Sequence, residues 1–349
     1  MIKAVALESC SRTIAGAPSL SMSVRITEIL DYLQNQGKLA YMVIRENDIS
    51  LLSTLRWANV IFISKYVSAD VLNLVRQAKR QGIKIIYDID DWVFSFPHYS
   101  AHKTKPDTDQ IGAMLELADA VTVANENILR DMRSYRSDAV LLPNSMYVEK
   151  YMPAEPGGRD EESHPPRVVF LNTDFLKMIA GKDVLLRALQ VFFHRHPEYI
   201  LDFYGDPFPE MFSLSFLHFT QRMPYEDTLR SLSNGGYQFA ITPLGGEEDS
   251  QDMLYNTYKN PFKYLNYGAT RIPGIYSSSP IYRQSVIHKK TGLLIENTYE
   301  NWLESMELMA SDTALRQSIR ANAYEDVLEN HHVRFGAAVL ADIFSRWQC

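Results

Sequence analysis

At 349 residues the chain exceeds what one hydrophobic core usually supports, so two domains are expected. A net charge of −7 without a Lys/Arg-rich run argues against a nucleic-acid backbone as partner. Cys10 and Cys349 are too few for a disulfide framework, and no stretch approaches 18 apolar residues, so a reducing cytoplasm is expected and a membrane span is not. Peripheral contact with the inner face of a membrane stays open.

The N-terminal MIKAVALES lacks the apolar stretch of a signal peptide and reads as a first strand. From there apolar runs alternate with amphipathic ones. Residues 2–7, 39–44, 60–63, 83–88, 120–123 and 140–142 read as strands, and 21–36, 69–81, 108–117 and 126–135 as helices between them. This alternation is the pattern of a parallel sheet wrapped by helices. Residues 153–166, PAEPGGRDEESHPP, break it with prolines and glycines and read as a linker. The alternation then restarts, with strands at 168–171, 200–204, 239–242, 272–276 and 293–295. Helices are expected at 182–194, 225–233, 261–267, 300–310 and 314–328, and an amphipathic run at 333–347 closes the chain. Two doubly wound domains predict a ligand cleft at the carboxyl ends of both sheets. No G-x-G-x-x-G follows a strand and no G-x-x-x-x-G-K-[ST] occurs, which argues against a dehydrogenase or a kinase. His194, His196, His331 and His332 lack further ligands at metal-binding spacing and read as surface histidines.

Asp88, Asp90 and Asp91 fall at the end of the 83–88 strand, where carboxylates face the cleft. They suit sugar hydroxyls, a divalent cation, a helix cap, or ion pairs with Arg25 or Lys65. After the 168–171 strand, Asn172, Thr173 and Asp174 offer a phosphate cradle, with Lys177 and Lys182 as nearby cations. Gly205 allows the close backbone approach that a flat base needs. Arg222, Pro224 and Tyr225, with Pro243 and Leu244, are candidates for the base pocket. The most informative stretch is KNPFKYLNYGATRIPGIYSSSPIY at 259–282. Lys259 and Lys263 are four apart, on one face of a helix start, beside free N–H groups and the positive dipole end. That combination suits a diphosphate, the bland alternative being a solvated lysine pair on a surface helix.

With Asn256 ahead of it, this stretch resembles the donor-binding region of retaining glycosyltransferases of the GT-B fold, the family also called glycosyltransferase family 4 or group 1. A common form there is N-x-x-K-S-x-x-K-x-x-E-Y-x-A-x-G-x-P-V-I. Asn256, Lys259, Lys263, Tyr267, Ala269 and Pro273 fall on matching positions, and Ser277, Ser278 and Tyr282 follow in order. IKIIYDIDDWVF at 83–94, ADAVTVANENI at 118–128, VLLPNSM at 140–146 and the stretch 291–323 resemble further family segments. The resemblance implies an α/β GT-B protein with two Rossmann-like domains facing across a cleft. Residues 1–152 would form the acceptor-side domain and 167–330 the nucleotide-sugar domain, with 331–349 returning to the first as a helix. It implies retaining transfer of a hexose from a UDP-, GDP- or dTDP-sugar to a saccharide, lipid-linked or protein acceptor in polysaccharide biosynthesis. Neither a metal nor another cofactor is expected. Lys263 and Lys259 would be catalytic, with Asp91. Asn172, Thr173, Gly205, Arg222, Pro243, Asn256, Asn266 and Tyr282 would bind the donor, and Arg25, Lys65, Asp88, Asp90 and His98 would lie on the acceptor side. Two positions depart from the family. Its ribose-binding glutamate is Asn266, a weaker partner for a hydroxyl, and the glycine before Ile-Pro is Arg271. Both keep a second reading open, a non-catalytic binding or regulatory protein on the same fold.

Overall fold

The computed structural model describes residues 1–8, 19–45, 55–65, 67–97, 107–151, 165–172, 181–205, 209–245 and 250–347. The predicted linker falls almost wholly outside them, as do Thr173, Asp174, Lys177 and His98. Two six-stranded sheets carry the molecule. The first contains β1 (Ile2–Glu8), β2 (Leu39–Arg45), β3 (Val60–Ser64), β4 (Lys84–Ile89), β5 (Ala120–Val123) and β6 (Val140–Leu141), in the order β2-β1-β3-β4-β5-β6. The second contains β7 (Arg167–Asn172), β8 (Ile200–Gly205), β9 (Leu217–Thr220), β10 (Tyr237–Thr242), β11 (Gly274–Ser277) and β12 (Leu293–Ile295), in the order β12-β11-β10-β7-β8-β9. Every paired strand is parallel. Parallel sheets bury both faces, which is why VIFI at 60–63 of β3 is apolar and buried throughout. Strand order reverses between β1 and β3 in one sheet and between β7 and β10 in the other. Those two crevices are where ligands of such folds sit.

In the first half, α1 spans residues 20–35, α-helical over Leu20–Met22 and Glu28–Asn35 with a π-helical turn at Ser23–Thr27 between. It is followed by α2 (Ala69–Arg80), α3 (Thr108–Leu117) and α4 (Glu126–Met132). In the second half come α5 (Lys182–Arg195), α6 (Tyr225–Asn234), α7 (Ser250–Thr257), α8 (Phe262–Ala269), α9 (Pro280–Ser285), α10 (Tyr299–Ser311) and α11 (Thr313–Asn330).

The last helix, α12 (Val333–Ser345), packs on the first sheet and α1, not on the half it follows in sequence. Val333, Ala337, Leu340, Ile343 and Phe344 are its buried face, and Phe344 meets Phe62 edge-on at 6.3 Å. Gly336 lets the two helices close up, because a Cβ there would stand 2.6 Å from Ile29 Cδ1. No helix among the described residues is long and apolar enough to cross a membrane.

Three elements differ from expectation. The edge strand β9 reads LHFT, an alternation only four residues long, and its Phe219 is exposed, so nothing marks it as a strand. Helix α7 exposes Met253 and Leu254, so its pattern does not mark a buried face. Helix α9 starts within what reads as a Ser-rich turn and has six residues. β11 also begins two residues later than expected, after Arg271 in the left-handed region (φ 58°) and Pro273. That backbone is the reason glycine suits position 271. Here Arg271 is held instead by its guanidinium, 3.9 Å from the centre of the Tyr324 ring on α11.

Candidate active site

The carboxyl ends of the two sheets meet at β4 and the start of α8. Lys259 Nζ lies 3.4 Å from Asp91 Oδ1, and Asn260 Nδ2 donates to the Asp90 carbonyl at 2.5 Å. The wall from the first half begins with a buried pair. Arg25, carried inward by the π turn of α1, donates from Nε and Nη2 to the two Asp88 oxygens at 3.0 and 2.6 Å. Both side chains are 0% exposed. Thr122 also donates to Asp88 at 2.7 Å, and Arg25 Nη1 donates to the Leu142 carbonyl and to Asn144 Oδ1. The bidentate pair is held by further internal hydrogen bonds on both sides. Arg25 and Asp88 thus form the ion pair that is one of the expected readings, with both side chains buried.

Above them the charges alternate. Lys65, just past β3, bridges Asp90 at 3.0 Å and Asp91 at 2.9 Å, and Asp91 in turn faces Lys259. Asp90 also accepts from the Ser21 hydroxyl in the first turn of α1. Lysine ammoniums thus stand where a cation would face the two carboxylates. Among the described residues no group of three or more His, Cys, Asp or Glu is arranged to hold a metal ion.

The opposite wall is built on β7, β8, β10 and α8. Asn172 and Gly205 are register partners at the ends of β7 and β8, and Gly205 has φ 117°, which favours glycine. Pro243 is buried directly after β10. Asn256 of α7 is buried and donates to the Gly245 carbonyl at 3.1 Å, so it secures the loop after β10. Helix α8 crosses β7, its Tyr267 hydroxyl accepting from Leu171 N at 3.2 Å, and the segment leading into its amino end lies against Asp90 and Asp91.

The helices divide by how their amino ends are capped, and α5, α6 and α9 begin, like α8, without a side-chain cap. Ser68, Asp107, Asn125, Thr298 and Asp312 each cap the helix they precede with a side-chain oxygen. Helix α8 starts after Pro261 with no side-chain cap, and its first turn holds no acidic residue. It holds Lys263, half-buried. Lys259 is not one turn earlier on the same helix, as its spacing implies. It lies in the segment between α7 and α8, with its ammonium 4.6 Å above the Tyr255 ring and beside Asp91.

Asn266, in the second turn of α8, is 5% exposed, and its Oδ1 accepts from the Tyr225 hydroxyl at 2.9 Å. Burial pushes the Tyr225 phenol well above its ordinary pKa, so it stays a donor. Arg222 is partly buried in the loop ahead of α6. Tyr282 is buried in the core with its ring 5.1 Å from that of Tyr276, so it seats α9 and does not face the cleft.

Sequence reasoning missed the residues that join the two walls. Trp92 stacks on Tyr258 at 4.9 Å, and the Tyr258 hydroxyl donates to Asp131 at 2.5 Å. Asn125, Asn127 and Asn144 reach across from the first half to residues 257–260. A second contact sets the Tyr151 ring 6.2 Å from that of Tyr225, with Glu28 buried on the first domain's side, accepting from the Tyr151 hydroxyl and Tyr147 N–H. Burial raises the Glu28 carboxyl to about 7, against the opposing pull of the Tyr151 hydrogen bond. Asparagine and tyrosine in loops give no periodic signal, so only the fold reveals these partners.

No protein-family profile matches the chain, and no curated protein matches it in sequence. Its fold is shared with solved structures along nearly its whole length, and these are GT-B proteins. The HepE protein of Anabaena, solved with UDP and glucose, superposes with a TM-score of 0.65 at 11% identity, covering 99% of this chain and 100% of that one. Sucrose-phosphate synthase from Thermosynechococcus elongatus gives 0.66 at 13% identity, with 99% of each chain covered. A putative UDP-N-acetylglucosamine 2-epimerase from Listeria monocytogenes gives 0.64 at 9% identity, covering 99% and 97%. The class defined is thus the GT-B fold, two Rossmann-like domains with their sheet ends facing each other.

Proposed function

We propose that the cleft binds a nucleoside diphosphate-sugar and transfers its sugar, a hexose in the family this sequence resembles, to a saccharide, lipid-linked or protein acceptor. The observation that carries this reading is the amino end of α8: it has no side-chain cap and no acidic residue in its first turn, it bears Lys263 there, and the segment leading into it meets Asp90 and Asp91. Such an end attracts an anion through its N–H groups and dipole. The nucleoside lies against the ends of β8 and β10, near Gly205 and Pro243, and the Asn266 side chain serves a ribose hydroxyl in place of a glutamate. Because HepE was solved with UDP and UDP-glucose, UDP is the first nucleotide to test.

In the reaction the anomeric carbon–oxygen bond to the diphosphate breaks as the acceptor oxygen bonds to the same carbon. Negative charge grows on the leaving phosphate, where Lys263 and the α8 amides stabilise it. In the retaining course that the resemblance implies, a leaving phosphate oxygen takes the acceptor proton. The Lys65 and Lys259 ammoniums balance Asp90 and Asp91, and no divalent cation is required in this scheme.

The test is a panel of UDP-, GDP- and dTDP-sugars, read by release of the nucleoside diphosphate. The proposal expects release from at least one donor, and hydrolysis suffices when the acceptor is unknown. The Tyr225 bond that occupies the Asn266 oxygen favours one other reading, a non-catalytic binding protein. Binding of a nucleotide sugar without release decides for it, and absence of any nucleotide binding refutes both.

A further inference from the structure

Residues 257–260 form a short strap between α7 and α8, and the first domain grips it mainly by its backbone. Asn127 Nδ2 donates to the Thr257 carbonyl at 2.9 Å. Asn125 Nδ2 donates to the carbonyls of Tyr258 at 3.2 Å and Lys259 at 3.4 Å. Asn144 Nδ2 donates to Asn260 Oδ1 at 2.8 Å, while Asn260 donates to the Asp90 carbonyl. The amide orientation of each asparagine is fixed from its own domain. Asn125 Oδ1 caps α4 through Ile128 N, Asn127 Oδ1 accepts from Arg130, and Asn144 Oδ1 accepts from the buried Arg25. With each oxygen so occupied, the N–H groups are presented to the strap. Trp92 stacked on Tyr258 and the Asp91–Lys259 pair close the same contact.

The strap ends at Asn260, and α8 begins two residues later with Lys263 in its first turn. From this we infer that Asn125, Asn127 and Asn144 are positioning residues: the first domain sets where the phosphate-binding end of α8 stands, by holding the strap that leads into it. The inference rests on the proposed reading of that helix end. It also gives the Arg25–Asp88 pair a task, because the pair orients Asn144. Nucleoside binding lies on the second domain alone and is independent of the strap. A displacement of the diphosphate cradle, even of about 1 Å, is costly to transfer.

The experiment compares a nucleoside diphosphate with its monophosphate. UDP, GDP, dTDP and their monophosphates are titrated calorimetrically into the wild type and an Asn125→Asp/Asn127→Ala variant. Asp at 125 keeps the α4 cap and loses both cross-domain donors. The expected result is that the diphosphate-to-monophosphate affinity ratio falls roughly tenfold while monophosphate affinity is unchanged, and kcat for donor breakdown falls about a hundredfold. A strap that merely glues the domains lowers the melting temperature and leaves the ratio as in the wild type, which overturns the inference. Asn127→Ala alone, on a half-exposed helix position, carries the same comparison should the double variant fail to fold. A wild type that binds none of these nucleotides overturns the proposed function, and the inference with it.

Discussion

Removing the charge from Asp88 leaves the Arg25 guanidinium buried without its counter-ion. Breaking one side of such a pair typically costs about 3–5 kcal/mol, more than the pair itself contributes, because the remaining charge stays desolvated. Asp88→Asn should therefore lower the unfolding free energy by that amount, read from the shift of the denaturation midpoint at unchanged slope, and a change no larger than that of a surface substitution would refute the buried reading. Lys263 is the opposite case, half-buried at a helix start. Lys263→Ala should leave the melting temperature near that of the wild type and lower donor breakdown by on the order of 10²–10³, as loss of a preorganised charge-stabilising group does. Wild-type turnover in this variant moves the donor phosphates elsewhere. Both residues were legible in the sequence as chemistry-bearing positions. Their burial was not, since a strand-end carboxylate can face ligand or core and only the π turn carrying Arg25 decides which.

Among the elements, α1 and the 148–151 segment meet the second domain through Glu28, Tyr151 and Tyr225. Lys150 joins the same contact by pairing with Asp31 at 2.7 Å and with Glu226. Glu28 titrates near 7 in the folded protein against 4.5 for an ordinary glutamate, because burial disfavours its charge. Between those values the folded state holds the extra proton, so stability falls as pH rises through this window and levels off above it. Glu28→Gln can keep both contacts, its oxygen on Tyr147 N–H and its nitrogen on Tyr151. It should flatten the fall in melting temperature between about pH 5 and 7; an unaltered slope assigns the pH dependence to other groups. At this scale the sequence was most informative where strands are buried on both faces, because a continuous apolar run has few other homes. It was least informative at β9, exposed at a sheet edge, and at α7, whose Met253 and Leu254 face outward. The strap was invisible for a different reason: Asn127 and Thr257 are 130 residues apart, and an amide looks the same in a loop whether or not it crosses a domain boundary.

At the scale of the whole molecule, the two halves are joined by the strap, by the Tyr151–Tyr225 and Lys150–Glu226 contacts and by α12 lying back on the first domain. Cationic groups supply the charge balance in this scheme, so donor breakdown should survive EDTA. Its abolition by EDTA and restoration by Mg²⁺ or Mn²⁺ would reassign Asp90 and Asp91 as metal ligands. The most direct test of the central claim needs neither acceptor nor turnover. UDP, GDP and dTDP are titrated calorimetrically into the wild type and Lys263→Ala, in EDTA throughout. The account predicts that at least one nucleotide binds the wild type without metal, and that Lys263→Ala weakens it by roughly tenfold or more, the loss of one charge-assisted phosphate contact. Equal affinity in the two proteins, or no binding to the wild type, would contradict it.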